Sequence, residues 1–418
     1  MNVKVFKSQL NGKVEIPYSK SQLIRAIICA GLSSGVSNIK GISMCDDVMV
    51  AINAIKSLGA NVRYYKDEET MKSCLIINGR KHNLCNKIEI NFKESATVYR
   101  IFLSIIAVLG IEAKFIVYQS LKRRYISDLT GELIKHGITY DSHLEEGYVI
   151  SKGKISGEDF FIRGDITSQF ISGLLMAIPL IEDLNKEAIK IYLLSEIKSK
   201  QYVNMTLDMI SKFGIKIDYD KNKFIIHPNQ KYRNTTVNIE GDYSIGANFL
   251  VSKSINSKGL IIENLPTQTL QSDKLVLDVI DKIEKGEKIN INADDCIDIV
   301  PILVVLFYCK DVSAKIYNAK RLMFKESNRL EVICESLIKM GANIEYNDNE
   351  IIVKTGGVLK GGVLLSGYND HRIIMALTIA GMNCDKPVII SDARSVNKSY
   401  PEFWDVIKEL GAKFEFVE

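Results

Sequence analysis

The chain has 418 residues, of which 46% are hydrophobic and 25% charged, and its net charge is +4. This balance is typical of a soluble protein and predicts no nucleic-acid partner. The longest apolar run, residues 101–111, is interrupted by Ser104 and Gly110. It is shorter than the ~20 residues that a membrane helix needs, so we expect no membrane-spanning segment.

Three features of the sequence indicate where the protein is located and whether it binds a metal: its N-terminus, its cysteines and its histidines. Residues 1–5 lead directly into strand-like sequence without an apolar signal region. The eight cysteines form no C-x-x-C pair and lie mostly in apolar stretches, which favours reduced thiols. The five histidines show no metal-ligand spacing. We therefore expect a cytoplasmic protein without a metal site.

Six glycines each end a predicted helix just before a short β-prone segment. They are Gly59, Gly137, Gly214, Gly286, Gly341 and Gly411. Glycine ends a helix in the left-handed conformation at the lowest steric cost. Their spacings of 78, 77, 72, 55 and 70 residues suit compact subdomains better than solenoid repeats. The sequence therefore predicts six α/β repeats.

Each repeat is predicted to run strand, helix, strand, helix, strand, strand. The first repeat is predicted as Val14–Pro17, Ser21–Leu32, Asn38–Ile42, Asp46–Leu58, Asn61–Tyr65 and Leu75–Asn78. The third is predicted as Phe160–Arg163, Ser168–Ile181, Ile189–Leu193, Tyr202–Phe213, Ile215–Tyr219 and Phe224–His227. The fourth repeat is the least regular. Because 418 residues exceed what one core usually supports, we expect two domains of three repeats each.

Polar residues gather where strands turn into helices. Those before first helices are Lys20, Ser21, Arg25, Thr97, Arg100, Thr167, Ser168, Gln169, Asp242, Tyr243, Ser244, Asp298, Asp370, His371 and Arg372. Those before second helices are Arg123, Arg124, Asp128, Ser199, Lys200, Tyr202, Arg321, residues 325–329, Arg394, Lys398 and Ser399. Helix N-termini bind anions, so domains that face each other would enclose a positively charged cleft containing a few carboxylates.

Each of these residues has a simpler interpretation when taken alone. Ser21, Thr167 or Ser399 alone is typical of an N-cap, and Lys20 alone of a solvated helix face. Residues 370–372 are harder to explain in this way because they directly precede the apolar run 373–377. Recurrence at one topological position favours a shared functional role.

Five motifs resemble the 5-enolpyruvylshikimate-3-phosphate synthase family. They are Pro17-x-Ser19-Lys20-Ser21 with Arg25, Thr167-Ser168-Gln169-Phe170-Ile171-Ser172, Lys325-Glu326-Ser327-Asn328-Arg329-Leu330, Asp370-His371-Arg372 and Lys398-Ser399-Tyr400-Pro401-x-Phe403. The likeness runs from Lys13 to the C-terminus and keeps the order and spacing of the motifs.

The resemblance implies a two-domain inside-out α/β barrel, with six βαβαββ repeats, three per domain, and an active site in the interdomain cleft. The chain would cross between domains near Tyr18 and near Asn229. Residues 1–17 with 229–418 would form one domain, and residues 18–228 the other. We expect a monomer that needs no cofactor and no metal, and whose domains close when anions bind.

The resemblance also implies a reaction of the shikimate pathway for aromatic amino acids. The enolpyruvyl group of phosphoenolpyruvate would pass to the 5-hydroxyl of shikimate 3-phosphate, with release of phosphate. Asp298, Glu326 and Lys20 would be catalytic. Shikimate 3-phosphate would be held by Lys20, Ser21, Arg25, Thr167, Ser168, Gln169, Ser199, Asp298 and Lys325. Phosphoenolpyruvate would be held by Lys20, Ala96, Arg124, Gln169, Arg329, Arg372 and Lys398.

Four positions depart from the family pattern. They are Tyr18 for Gly, Glu94-Ser95-Ala96-Thr97 for Asn-x-Gly-Thr, Arg321 for Asn, and Asn328 for Asp. Glu94 would bring a carboxylate near an anion. Ala96 adds a methyl group where the inhibitor glyphosate would lie, so we expect an insensitive enzyme.

Two alternatives stay open on the sequence. One is the enolpyruvyl transferase that acts on UDP-N-acetylglucosamine, which usually has a Cys in the segment that corresponds to residues 117–125; this chain has none there. The other is a catalytically weakened relative that still binds anions.

Overall fold

A computed structural model describes residues 1–80, 86–155, 157–181 and 187–418. Contacts divide the chain into two compact units. The central unit is Tyr18–Glu240, and the terminal unit is Met1–Pro17 together with Gly241–Glu418. The second crossing predicted from the sequence, near Asn229, falls earlier in the chain than this division. Each unit is built around its own apolar core.

The helices and strands alternate as the repeat pattern requires. In chain order, residues 1–240 contain β1 (Asn2–Phe6), β2 (Gly12–Glu15), α1 (Lys20–Leu32), β3 (Val36–Lys40), α2 (Asp46–Ser57), β4 (Asn61–Lys66), β5 (Ser73–Asn78), β6 (Lys87–Asn91), α3 (Ala96–Leu109), β7 (Glu112–Ile116), α4 (Gln119–Lys122), α5 (Ser127–Lys135), β8 (Thr139–His143), β9 (Tyr148–Lys152), β10 (Phe160–Ile162), α6 (Ser168–Ala177), a 3₁₀ turn (Ile178–Leu180), β11 (Ile189–Leu193), α7 (Lys200–Lys212), β12 (Ile217–Asp220), β13 (Lys223–Ile226) and β14 (Thr236–Asn238).

The rest of the terminal unit follows the same order. It contains α8 (Tyr243–Ile255), β15 (Leu260–Glu263), α9 (Leu275–Glu284), β16 (Ile289–Asn292), α10 (Val300–Cys309), β17 (Ala314–Tyr317), α11 (Arg329–Lys339), β18 (Ile344–Tyr346), β19 (Ile351–Val353), β20 (Leu364–Leu365), α12 (His371–Gly381), β21 (Val388–Ile390), α13 (Phe403–Glu409) and β22 (Lys413–Val417). Its 3₁₀ helices are Ser272–Lys274, Ala293–Asp295, Lys320–Phe324 and Ala393–Lys398.

The third repeat shows how one complete unit is assembled. Its sheet has the order β10-β11-β13-β12, with a parallel first pair and antiparallel pairs after it. The strand predicted over Ile189–Leu193 is confirmed. The helix predicted over Ser168–Ile181 is shorter, ending at Ala177, because Pro179 cannot donate a helical hydrogen bond.

The six repeat glycines all adopt the predicted backbone conformation. Their φ angles lie between 69° and 101°, in the left-handed region. At Gly59, for example, α2 has just ended, and β4 begins two residues later. The glycine signal in the sequence therefore marks real helix ends.

The strand assignment of the first and fourth repeats was wrong. β2 was predicted to begin the first repeat, but it pairs with β15 in a two-stranded sheet. The sheet of the first repeat instead has the order β14-β3-β5-β4, so its leading strand comes from residues 236–238. N-terminal β1 likewise completes the sixth sheet, between β21 and β22. Strands from distant parts of the chain thus complete these sheets. In the described residues, the sheet of the fourth repeat contains only β15 and β2, without the two final strands that the other repeats have.

The first helix of each repeat is buried and the second is amphipathic. In α10, which is apolar at every position, the nine residues Val300–Tyr308 are buried. In α5 only three residues are buried. A helix that is hydrophobic all round belongs in a core, so the first helices fix the positions of the turns that precede them. Within the described ranges, every helix is too short or too polar to span a bilayer.

Candidate active site

Three carboxylates surround one buried arginine in the terminal unit. Arg329, the first residue of α11, is only 1% exposed. Its guanidinium donates from Nη1 to Asp298 Oδ1 at 2.8 Å and from Nη2 to Glu326 Oε2 at 2.6 Å. It also binds both oxygens of Asp370, at 2.8 and 3.1 Å. This planar group therefore connects the two carboxylates that the sequence predicted to be catalytic.

Asp298 is held in its ionised form. Burial alone would raise its pKa, but the positive charges of Lys325, Arg329 and Arg372 outweigh burial and hold the pKa well below its usual value. Lys325 Nζ lies 3.2 Å from Asp298 Oδ1. Burial lowers the pKa of Lys325 in turn. At neutral pH Asp298 can accept a proton but has none to give.

Glu326 lies between two cations. Its Oε2 accepts from Arg329, and its Oε1 is 3.1 Å from Lys398 Nζ. Lys398 ends the 3₁₀ helix that begins at Ala393. Residues from two predicted motifs therefore meet at one carboxylate.

The start of α12, which contains Asp370 and Arg372, is buried. Asp370 is fully buried and caps α12 by accepting from the backbone N–H of Arg372 at 3.0 Å. It also accepts from Ser327 Oγ at 3.0 Å. Arg372 is 6% exposed, and its Nε and Nη1 have no hydrogen-bond partner within the described ranges. A buried guanidinium whose N–H groups lack hydrogen-bond partners is typical of a site that binds an anion.

Asp273 is a member of this region that sequence reasoning missed. It is 2% exposed and accepts a hydrogen bond from Ser244 Oγ. Burial, reinforced by the charge of Asp298, raises the pKa of Asp273 to about 7. The sequence signal was weak, since Asp273 lies in the irregular fourth repeat.

The central unit contains a second buried arginine. Arg25 is 1% exposed and donates to Thr206 Oγ1 at 2.7 Å, to Ser21 O at 2.8 Å and to Tyr202 O at 3.3 Å. Among the described residues it has no carboxylate partner. Burial lowers its pKa to about 10, so it keeps its charge at neutral pH. In the part of the chain that the structure describes, Arg25 is therefore a buried cation that no carboxylate neutralises.

Lys20, Gln169 and their neighbours occupy other helix starts of the central unit. Lys20 opens α1, and its Nζ lies 2.8 Å from Asp47 Oδ2. Gln169 binds Arg100 through its carbonyl oxygen at 2.7 Å and Thr97 Oγ1 through its amide at 2.8 Å. Asp47 was not among the predicted site residues, and Arg100 was predicted to line the cleft but was not assigned to either substrate.

The remaining predicted residues lie at the expected junctions. Thr167 is the N-cap of α6 and accepts from Gln169 N at 3.3 Å, and Ser168 begins that helix. Ser199 precedes α7 with φ of 54°. Ala96 is the first residue of α3, and Arg124 lies just after α4.

Two of the departures from the family pattern have clear structural partners. Asn328 caps α11 by accepting from Glu331 N at 3.4 Å, a role that Asn and Asp fill equally well. Arg321 forms an ion pair of 3.2 Å with Asp294. In the described ranges, no group of three or more His, Cys, Asp or Glu side chains is arranged to hold a metal ion. The seven described cysteines are not in disulfides, and Cys85 lies outside the described residues.

Comparison with known proteins agrees with this architecture. Two solved structures of EPSP synthase from Acinetobacter baumannii match over 100% of both chains with TM-scores of 0.76, at 18% and 17% identity. Likeness at such identity shows the fold alone. The chain is thus a two-domain inside-out α/β protein, and the predicted fold class is confirmed.

Sequence relatives define the family more narrowly. The model of EPSP synthase (3-phosphoshikimate 1-carboxyvinyltransferase) matches residues 6–407. The 3-phosphoshikimate 1-carboxyvinyltransferase of Clostridium novyi is 36% identical, over 98% of this chain and 97% of that protein. The enzyme of the same name from Clostridioides difficile is 34% identical, over 99% and 98%. The chain belongs to the EPSP synthase family.

Proposed function

We propose that the protein transfers the enolpyruvyl group of phosphoenolpyruvate to the 5-hydroxyl of shikimate 3-phosphate and releases phosphate. The observation that carries this proposal is the bridge of Arg329 between Asp298 and Glu326. The reaction needs a group that accepts the hydroxyl proton and a group that protonates the methylene carbon of phosphoenolpyruvate. Two neighbouring carboxylates in different surroundings can divide these tasks.

Asp298 accepts the proton of the 5-hydroxyl, because it is ionised at neutral pH. The hydroxyl oxygen bonds to the central carbon of phosphoenolpyruvate while Glu326, supported by Lys398, protonates the methylene carbon. The methyl group so formed then returns a proton to Glu326, the double bond forms again, and phosphate leaves with the proton that Asp298 had accepted. Lys20 assists as a positive charge beside the reacting groups.

The other predicted residues bind the two anionic substrates. Shikimate 3-phosphate is held by Lys20, Ser21, Arg25, Thr167, Ser168, Gln169, Ser199, Asp298 and Lys325. Phosphoenolpyruvate is held by Lys20, Ala96, Arg124, Gln169, Arg329, Arg372 and Lys398. The spare donors of Arg372 and the uncompensated charge of Arg25 support these assignments. A monomeric state and a cytoplasmic location stay predictions.

A coupled phosphate-release assay tests the proposal. Purified protein is given phosphoenolpyruvate with shikimate 3-phosphate, with UDP-N-acetylglucosamine, or with no acceptor. We expect phosphate release with shikimate 3-phosphate only. Release with the UDP-sugar would point to the other enolpyruvyl transferase, and binding without release to a weakened relative.

A further inference from the structure

Glu94 interacts with a segment that follows it by 26 residues. It lies between β6 and α3, and its carboxylate accepts from the backbone N–H of Ser120 at 3.1 and 3.3 Å and from the Ser120 hydroxyl. Ser120 is the second residue of α4, and the N-cap residue Tyr118 makes no side-chain cap. Glu94 therefore satisfies an N–H group at the start of this helix.

The same segment is attached to the β6–α3 turn at two more points. The backbone N–H of Tyr118 donates to Lys93 O at 2.8 Å. The side-chain amide of Asn91 donates to the Tyr118 hydroxyl at 3.0 Å. The turn keeps its own shape through a bond from Lys93 N to Asn91 Oδ1 at 2.9 Å, with Lys93 at φ of 47°.

Arg124 lies between two anchors. On the N-terminal side of Arg124, the backbone N–H of Ser120 donates to Glu94 at 3.1 Å. On its C-terminal side, Arg100 Nη2 donates to the carbonyl of Tyr125 at 2.8 Å. The backbone N–H of Arg124 donates to Leu121 O at 3.1 Å, which continues the turn of α4. The position of Arg124 therefore depends on side chains at the start of α3.

We propose that Glu94 is a positioning residue for Arg124, and that it acts by holding Ser120. This inference rests on the proposed function in so far as Arg124 binds phosphoenolpyruvate. The sequence alone suggested that the Glu94 carboxylate would repel that anion. In the structure, the backbone N–H and the hydroxyl of Ser120 both donate to the Glu94 carboxylate. The carboxylate therefore stabilises the segment that contains Arg124.

Four variants and one control test this role. Glu94→Ala removes the contact, Glu94→Gln keeps an acceptor of the same shape, Ser120→Ala removes one donor, and the double variant tests whether the two residues act together. Glu89→Gln is the control, since the Glu89 side chain is 58% exposed and pairs at 3.5 Å with Lys114.

We expect Glu94→Ala to raise the KM for phosphoenolpyruvate by about tenfold, as the loss of a charge-assisted hydrogen bond usually does. The KM for shikimate 3-phosphate should change less than about twofold, because Arg124 is assigned to phosphoenolpyruvate alone. Glu94→Gln should recover most of the loss. The double variant should be no worse than Glu94→Ala, because both changes break one contact.

A second readout does not need activity. Trypsin cleaves after Lys122, Arg123 and Arg124, and mass spectrometry can follow these cuts. Cleavage there should be faster in Glu94→Ala than in wild type, and unchanged in Glu89→Gln. A wild-type protein without turnover would overturn the proposed function, and this readout would still test the link to Ser120.

Two results would overturn the inference itself in an active enzyme. One is a KM for phosphoenolpyruvate that is unchanged or lower in Glu94→Ala, since a lower value would mean that the carboxylate repels the substrate. The other is an unchanged rate of cleavage at residues 122–124.

Discussion

Arg25 and Arg329 are equally buried but have opposite electrostatic surroundings. Each is 1% exposed, one in the central unit and the other in the terminal unit. Arg25 binds a hydroxyl and two carbonyls, and burial lowers its pKa to about 10. Arg329 binds three carboxylates, which raise its pKa despite burial. The same residue type thus provides net positive charge in one unit and organises carboxylates in the other.

This difference suggests that Arg25 and Arg329 have different roles in the protein. A buried cation held by neutral groups keeps a positive potential that an anionic substrate can use. A cation that is shared among carboxylates has its charge neutralised. Its role is to fix the positions and the protonation states of those carboxylates. The predictions below test each half of this contrast.

The largest effect is expected when the carboxylates around Arg329 lose their ability to transfer protons. Glu326→Gln and Asp298→Asn keep the shape of each side chain, and each should lower kcat by roughly 10²–10⁴-fold. Binding of shikimate 3-phosphate should survive Glu326→Gln. The exposed Glu345→Gln is the control. Near wild-type turnover in Glu326→Gln would show that its catalytic assignment is wrong.

The second prediction compares the two arginines by stability. Arg329→Met leaves the buried Asp370 and the half-buried Asp298 and Glu326 without the guanidinium that they share, and it should cost about 3–5 kcal/mol of unfolding free energy. Arg25→Met leaves only neutral acceptors and should cost about 1 kcal/mol. Trp404, the single tryptophan, lies in the terminal unit and reports its urea unfolding by fluorescence.

Circular dichroism follows the helices of both units, so an unfolding transition that it shows and Trp404 fluorescence does not is assigned to the central unit; the exposed Arg63→Met is the control. Arg25→Met should instead weaken shikimate 3-phosphate binding by about tenfold or more, since a charge-assisted contact is lost. Equal stability losses in the two arginine variants would contradict the contrast.

The third prediction concerns pH. The pKa of Asp273 is raised to about 7, so the folded state binds its proton more tightly than the unfolded chain does. Stability relative to Asp273→Asn should therefore fall as pH rises from about 4 to 7, by up to ~1.4 kcal/mol per pH unit. Asp298, whose pKa is lowered, should act oppositely and lose its contribution at acidic pH. Parallel curves for wild type and Asp273→Asn in urea titrations would refute the prediction.

The smallest expected effect is steric and lies in the central unit. The Ala96 methyl group, at the start of α3, should hinder glyphosate more than the shorter phosphoenolpyruvate. The cost is about 1–3 kcal/mol, or roughly ten- to a hundredfold in affinity. Inhibition measured against phosphoenolpyruvate should therefore be weak in wild type and stronger in Ala96→Gly. If Ala96 only favours the helix, by about 1 kcal/mol over Gly, glyphosate sensitivity will not change.

Local signals in the sequence predicted most of the fold. The repeat glycines marked the helix ends, and the apolar runs marked the buried first helices. Both signals could be read from the sequence because each depends only on residues close together in the chain. The exchange of β2 and β14 was not predictable, since each is a short extended segment before a polar turn and nothing local identifies its partner.

The site was predicted to a similar extent. Family motifs identified Asp298, Glu326 and Arg329, but not that one guanidinium joins the two carboxylates. The contact of Glu94 with Ser120 and the burial of Asp273 depend on segments that meet only after folding. Those properties belong to tertiary structure, and no local pattern contains them.

Deuterium uptake from solvent tests most directly whether the carboxylates held by Arg329 transfer protons. Turnover in D₂O should place deuterium on the vinyl carbon of the product. Protonation converts the methylene carbon into a methyl group, and that group can then lose any of its three hydrogens. Glu326→Gln should form product, and with it incorporate deuterium, far more slowly than wild type. A wild-type product free of deuterium would contradict protonation at that carbon, and with it the role proposed for the carboxylates.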